Sequence, residues 1–427
     1  MAGYTPKTEK LQHMNPEKLK VMMVMLLITA GSMAFGQRVR TGMENLAARN
    51  FDLLRGKRVG LITNPTGIDS RFRSVVDLMH QAGGFELVAL FGPEHGVRGD
   101  HAAGDYVENF TDPATGIPVF SIYGKTRKPT PEMLQGIDVL VYDIQDIGSR
   151  SYTYISTLGL AMEAAAESNT AFVVLDRPNP LGGLKIEGLI TEPEFVSFVS
   201  QFPIPYLHGL TVGELARFIN EEGLLGNGVQ CDLTVIPMKG WKRKMTFNET
   251  GLPWVMTSPH IPHEYSPWFY PVSGILGELY VMSIGVGYTL PFQLFAAEWV
   301  DAELLAGNLN GLGLPGLVFR PVHYTPYYSV SRGTMIHGVQ VHITNYRQAN
   351  LSLVQFYVLQ ECHKLWPDKN VFELCEPSRL DMFDKVCGSD KVRKAFSRRF
   401  LVSDISQLWM KDSEDFRKKT AKYRMYR

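Results

Sequence analysis

Phe85-Glu86-Leu87-Val88-Ala89-Leu90 runs without a break into Phe91-Gly92-Pro93-Glu94-His95-Gly96-Val97-Arg98-Gly99-Asp100. The first six residues form a short apolar run of buried-strand character, and the Gly-Pro that ends it carries acid, imidazole and guanidinium groups directly behind. An α/β sheet presents its chemistry at the carboxyl ends of its strands, which makes Glu94 the first candidate for a working carboxylate. The pattern recurs twice. Val139-Leu140-Val141-Tyr142 leads into Asp143-Ile144-Gln145-Asp146-Ile147-Gly148-Ser149-Arg150, and Ala171-Phe172-Val173-Val174-Leu175 leads into Asp176-Arg177-Pro178-Asn179-Pro180. Three such strands could bring their polar clusters to one edge of one sheet.

Working outward, Val59 to Asn64 reads as a first strand and Asp69 to Gln81 as the helix after it. Strands follow at Pro118 to Tyr123, Val139 to Tyr142 and Ala171 to Leu175, with helices at Pro131 to Gln135 and Thr153 to Ser168. This alternation predicts a mostly parallel sheet covered on both faces. Thr211 and Glu214 have the spacing of a capping box and start a helix running to Glu222. The turn Asn64-Pro65-Thr66-Gly67-Ile68-Asp69 lacks GxGxxG spacing, so the sheet is Rossmann-like without a dinucleotide signature, and no cofactor is expected. From Leu252 the chain becomes Pro-rich and aromatic, which reads as an ordered cross-domain loop, with a boundary near Pro271. Beyond it come strands at Leu317 to Pro321 and Val339 to Thr344 and helices at Leu351 to Leu365 and Asp412 to Tyr423. The last helix reads as a solvated, charged face.

Composition narrows the function classes. A chain of 427 residues exceeds one ordinary core, and 45% hydrophobic with 20% charged residues describes a packed globular protein. Net charge is zero and no basic stripe carries interleaved aromatics, which argues against a nucleic-acid partner. Cys231, Cys362, Cys375 and Cys387 have no CxxC spacing, so a structural zinc site is not expected; the last three leave pairing or free thiols open. At the N-terminus, Lys18-Leu19-Lys20 precedes the apolar run Val21 to Ala30 and a small-x-small ending, Ala34-x-Gly36. That pattern is a secretory signal, residues 1–36, too short for stable membrane insertion, and it predicts a mature chain in the periplasm.

Taken together, these motifs resemble the exo-β-N-acetylmuramidase (NamZ-type) family of peptidoglycan hydrolases, formerly a domain of unknown function. The resemblance runs through Gly60 to Gly67, Phe91 to Gly96, Ser121 to Lys125, Asp143 to Asp146, Tyr152 to Tyr154, Asp176 to Pro180, Glu187-Gly188, Pro203 to Tyr206 and Trp254 to Pro262. It implies an α/β fold: a Rossmann-like catalytic domain, residues 37–271, then a smaller α+β domain, residues 272–427, with the active-site cleft between them. It also implies removal of N-acetylmuramic acid from the non-reducing ends of peptidoglycan-derived glycans or muropeptides. One segment departs. Family members tend to carry Glu-Gly-Thr-Asn-Leu-Ser-Glu-Gly-Arg-Gly-Thr, whereas this chain reads Glu278-Leu279-Tyr280-Val281-Met282-Ser283-Ile284-Gly285-Val286-Gly287-Tyr288. Glu278 keeps the register, Ile284 replaces the second acid and Val286 the arginine, so substrate preference would change if this segment lines the cleft.

Cleaving a β-glycoside needs an acid for the leaving oxygen and usually a second carboxylate. Glu94 is the expected acid and Glu187 its expected partner, with Glu163 and Glu278 as alternatives. His95, Asp143, Gln145, Asp146, Asp176, Asn179 and His260 are candidate sugar contacts, although strand-end carboxylates also cap helices. Arg150 or Arg177 could take the lactyl carboxylate that distinguishes muramic acid from glucosamine, against an internal Arg–Asp pair as the competing reading. Tyr152, Tyr154 and Trp254 could stack on a pyranose or belong to the core. Two other classes stay open: a secreted carbohydrate-binding protein without catalysis, and a metal-assisted hydrolase using His95, Asp100, His101 and Asp105.

Overall fold

The computed structural model describes residues 38–94, 96–99 and 109–427. The leader of residues 1–36 lies outside them, as do His95, Asp100, His101 and Asp105. Seven strands form the main sheet in the order β3-β4-β2-β1-β5-β6-β7. They are β1 (Arg58–Thr63), β2 (Glu86–Gly92), β3 (Phe110–Thr111), β4 (Pro118–Ser121), β5 (Val139–Asp143), β6 (Ala171–Leu175) and β7 (Leu233–Ile236). All pairings are parallel except β3 with β4 at one edge. Every residue of β5 is buried, the continuous apolar run of a strand covered on both faces. The chain order reverses between β1 and β5, so a switch point lies beside Thr63 and Asp143.

Helix Tyr154–Glu167 packs on one face, and helix Val212–Glu221 begins at the expected capping box of Thr211 and Glu214. The first crossover helix is shorter than the periodicity predicts, Val75–Gln81, capped by Ser74. Asp69 holds the preceding turn instead, accepting from the Arg71 and Arg73 amides and pairing with the Arg73 guanidinium. Strand β7 escapes a sequence reading because three of its four residues are only partly buried.

The C-terminal part is a three-stranded antiparallel sheet, ordered β8 (Leu294–Ala297), β10 (Ile336–Ile343), β9 (Leu317–Tyr324), packed with helices Ala302–Gly311 and Val354–Leu365. Part of the Pro-rich stretch that read as a loop is helical, Ser266–Gly277, with Pro271 inside it. An interior proline costs about 3 kcal/mol. Burial of Val272, Ile275 and Leu276 in the C-terminal core outweighs that, at roughly 1.5–3 kcal/mol each. The chain then returns to its first domain: Phe416 and Tyr423 pack edge-on against Phe218, at 5.6 and 5.4 Å between centroids. The final helix is therefore solvated on its charged face only. All four cysteines are free.

Candidate active site

The loop after β2 carries Glu94 into a cleft between the two parts of the chain. One half of the cleft, about 190 Å³, is walled by Ser151, Tyr152, Tyr154, His260 and Tyr270. The adjoining half, about 400 Å³, is walled by Tyr270, Glu278, Tyr280, Ile284, Val286 and Ser329. Glu94, His260, Tyr270 and Phe292 border both halves, making one continuous space of a size that suits a small ligand.

Glu94 is half-buried, and its Oε1 accepts a hydrogen bond from the Tyr123 hydroxyl at 2.8 Å. Burial, reinforced by that bond, pushes the Tyr123 phenol up to about 12, which keeps it a donor. Across the cleft, Glu278 follows the 266–277 helix. Burial raises its carboxyl above the ordinary range, only partly opposed by Arg379. No described residue hydrogen-bonds the Glu278 carboxylate, so one wall offers a carboxylate held by a tyrosine and the other a carboxyl biased towards its protonated form. The Tyr270 phenol feels both acids and bonds Ser151 Oγ at 3.1 Å. Tyr152 and Tyr154 stand edge-to-face at 5.0 Å, anchored on the 257 position through Thr257 Oγ1 at 2.7 Å and its carbonyl at 2.5 Å. His260 Nε2 lies 2.5 Å from Tyr328 Oη, a contact that bridges loops of the two parts over the cleft.

Of the residues singled out in the sequence, Glu94, Tyr152, Tyr154, His260 and Glu278 come together here. His95 falls outside the described residues. The others are engaged elsewhere. Glu187 is buried, accepting from Ser352 N at 2.9 Å and Ser352 Oγ at 2.8 Å, with Lys185 at 3.4 Å; it is a structural carboxylate, not the partner of Glu94. It borders a larger groove, about 670 Å³, where the other carboxylate, Glu249, is paired with Arg347 at 3.3 Å. Size favours that groove, but its acids are already spent on protein partners, and the smaller cleft is the candidate site.

The switch point is filled from within. Asp143 and Arg177 form a bidentate pair, Nε to Oδ1 at 2.6 Å and Nη2 to Oδ2 at 2.9 Å, with Ile68 O taking a further donor. Arg150 is fully buried, donating to Ser200 Oγ and the carbonyls of Leu189, Ile204 and Val386. Neither arginine is open to a lactyl group. Asp176 caps the 212–221 helix, accepting from Thr211 Oγ1, Gly213 N and the Tyr426 hydroxyl. Asn179 braces a turn between Leu181 N and Leu210 O, and Gln145 donates to Asp146 O and Pro178 O. Trp254 packs on Phe247 and lines with Gln145 and Arg177 a crevice of about 10 Å³, too small for a sugar. Glu163 pairs with Lys128 on the surface side of its helix.

Asp146 is also buried. Its Oδ2 accepts from Gly148 N and lies 3.9 Å from His208 Nε2. Burial pushes Asp146 up to about 7 and His208 down to about 3. Because His208 Nδ1 accepts from Leu210 N, the ring proton sits on Nε2 and faces the acid. Among the described residues no group of three or more metal-capable side chains gathers, and the set proposed from sequence, His95, Asp100, His101 and Asp105, lies outside them.

Residues 59–265 match the N-terminal family model of exo-β-N-acetylmuramidase NamZ, and residues 268–426 match its C-terminal model. The chain belongs to the NamZ family. It is 44% identical over 389 residues, 91% of this chain and 92% of the relative, to the peptidoglycan β-N-acetylmuramidase NamZ of Bacillus subtilis (strain 168). A crystal structure of a DUF1343 family protein from Bacteroides fragilis superposes with a TM-score of 0.88 at 59% identity, covering 91% of this chain and 99% of that one. A second one from the same organism gives 0.73 at 28% identity, covering 92% and 99%. The two NamZ models meet at residues 265–268, where the helix bearing Tyr270 and leading to Glu278 begins. Ile284 and Val286 line the cleft, so the segment that departs from the NamZ pattern is part of the site wall.

Tyr123, Ser151, Tyr270 and Phe292 were missed as site residues. Tyr270 and Phe292 lie far from any strand end of the main sheet, and only the folding of the 266–277 helix against the sheet edge places Tyr270 between the acids.

Proposed function

We propose that this protein is an exo-acting β-N-acetylmuramidase that releases N-acetylmuramic acid from the non-reducing ends of peptidoglycan fragments. The carrying observation is a cleft lined by two carboxyl groups, Glu94 from the first domain and Glu278 from the C-terminal part, each with an oxygen uncommitted to described protein donors. Glycoside hydrolysis uses such a pair: one group protonates the leaving oxygen, the other attacks the anomeric carbon or activates water. Glu278, whose carboxyl burial raises above the ordinary carboxylate range, is assigned the proton-donor role. Glu94, oriented by Tyr123, is the carboxylate that acts at the anomeric carbon or on water, which reverses the acid role expected for it from sequence. Tyr152, Tyr154 and Tyr270 supply aromatic wall for the pyranose. The activity named for the Bacillus subtilis relative supports the substrate class.

Export belongs to the same proposal: the basic, apolar and small-residue succession of residues 18–36 is a secretory signal, and peptidoglycan fragments lie in the periplasm it leads to. The test is product release. The mature chain, incubated with a N-acetylmuramyl-N-acetylglucosamine disaccharide, should liberate free N-acetylmuramic acid and leave the inverse disaccharide intact. Binding of the disaccharide without product would instead make the protein a carbohydrate-binding module.

A further inference from the structure

Glu94 and Glu278 face the cleft, yet among the described residues that line it there is no lysine or arginine. A substrate bearing its own carboxylate would enter against the Glu94 charge unless a cation meets it at the rim. Arg379, on helix Pro377–Cys387, stands there. Its guanidinium carbon lies 3.8 Å from the centroid of the Tyr280 ring, and it acts on the Glu278 carboxyl. Tyr280 lines the cleft beside Glu278 and is 53% exposed. Its backbone is left-handed, φ +56°, like that of Phe292 on the same cleft.

The buried guanidiniums are committed: Arg150 to carbonyls, Arg177 to Asp143, Arg243 to Glu214. Arg379 makes no side-chain hydrogen bond or ion pair with any described residue. A guanidinium seated on an aromatic face keeps its N–H edge free, and that edge matches a carboxylate through two parallel bonds. Ile284 and Val286, on the same wall, bring no competing charge.

We propose that Arg379, seated on Tyr280, is the specificity-determining residue that takes the lactyl carboxylate of a terminal N-acetylmuramyl group. This rests on the muramidase reading. The experiment measures kcat and KM of the full chain on three aryl β-glycosides: the N-acetylmuramide, its lactyl methyl ester and the N-acetylglucosaminide. Wild type should favour the free acid over the other two. Arg379→Ala should lower kcat/KM on the acid about ten- to a hundred-fold, mainly through KM, and leave the ester and glucosaminide little changed. Arg379→Lys should recover part of the loss. Arg127→Ala is the control, since Arg127 lies over Phe198 on the Glu94 side of the cleft. An unchanged preference in Arg379→Ala, an equal fall on all three substrates, or a preference that moves with Arg127 instead would overturn the assignment while leaving the muramidase reading intact. A wild type without preference for the acid would remove both.

Discussion

Two polar regions sit along the same sheet edge, and they differ in where their hydrogen bonds go. At the ends of β5 and β6, Asp143, Arg150, Asp176, Arg177 and Asn179 are all satisfied by protein partners. At the end of β2, Glu94 has one donor, and Glu278 opposite has none among the described residues. The first region is built to hold the fold together, because a buried charge without partners costs several kcal/mol. The second keeps acceptors open for a ligand. A doubly wound sheet ordinarily binds at its switch point. Here the Asp143–Arg177 pair plugs that point, and the candidate site lies one strand aside, in a cleft that the C-terminal part completes.

The comparison breaks most visibly at Arg150. Arg150→Ala should cost about 4 kcal/mol or more, since the carbonyls of Leu189, Ile204 and Val386 lose their donor inside a packed region. Chemical denaturation measures it. A loss under about 1 kcal/mol would mean that the paired region is not structural.

A smaller effect sharpens the same contrast through pH. Asp146, pushed up to about 7, contributes stability that is full below its unfolded pKa of 3.8 and is lost as pH rises towards 7. His208, pushed down to about 3, contributes stability that is full above 6.5 and is lost as pH falls towards 3. Between about pH 4 and 6.5 the two slopes oppose each other. Asp146→Asn removes only the first, so the variant should lose stability relative to wild type as pH falls from 7, by about 1 kcal/mol per pH unit. Urea midpoints of both proteins at pH 7, 6 and 5 give the difference. A difference that stays flat across this range would contradict the burial of Asp146 as a neutral acid.

Much of the architecture was legible in the sequence. Runs such as Val139 to Tyr142 are apolar throughout because both faces are covered, and Thr211 with Glu214 announced a helix start by a local hydrogen-bond pattern. Short or half-exposed elements, β7 above all, carry no such signal. The site was only half legible for a different reason. Asp143 and Glu94 both follow apolar strands, and sequence alone does not tell that a guanidinium 34 residues further on turns back onto one of them. Nor does it tell that Glu187 meets Ser352, 165 residues away. Tyr270 and Glu278 reach the cleft through a helix whose prolines read as a loop.

The most direct test is turnover by Glu94→Gln on an aryl N-acetylmuramide whose leaving group needs no protonation, with thermal melting measured on the same protein. Among the described residues Glu94 makes a single side-chain bond, to Tyr123, and the amide preserves its shape, so melting should match wild type. Turnover should fall about a hundred-fold or more, because the group acting at the anomeric carbon is gone. A variant that melts like wild type and still turns the substrate over at the wild-type rate would contradict the placement of the chemistry at the end of β2.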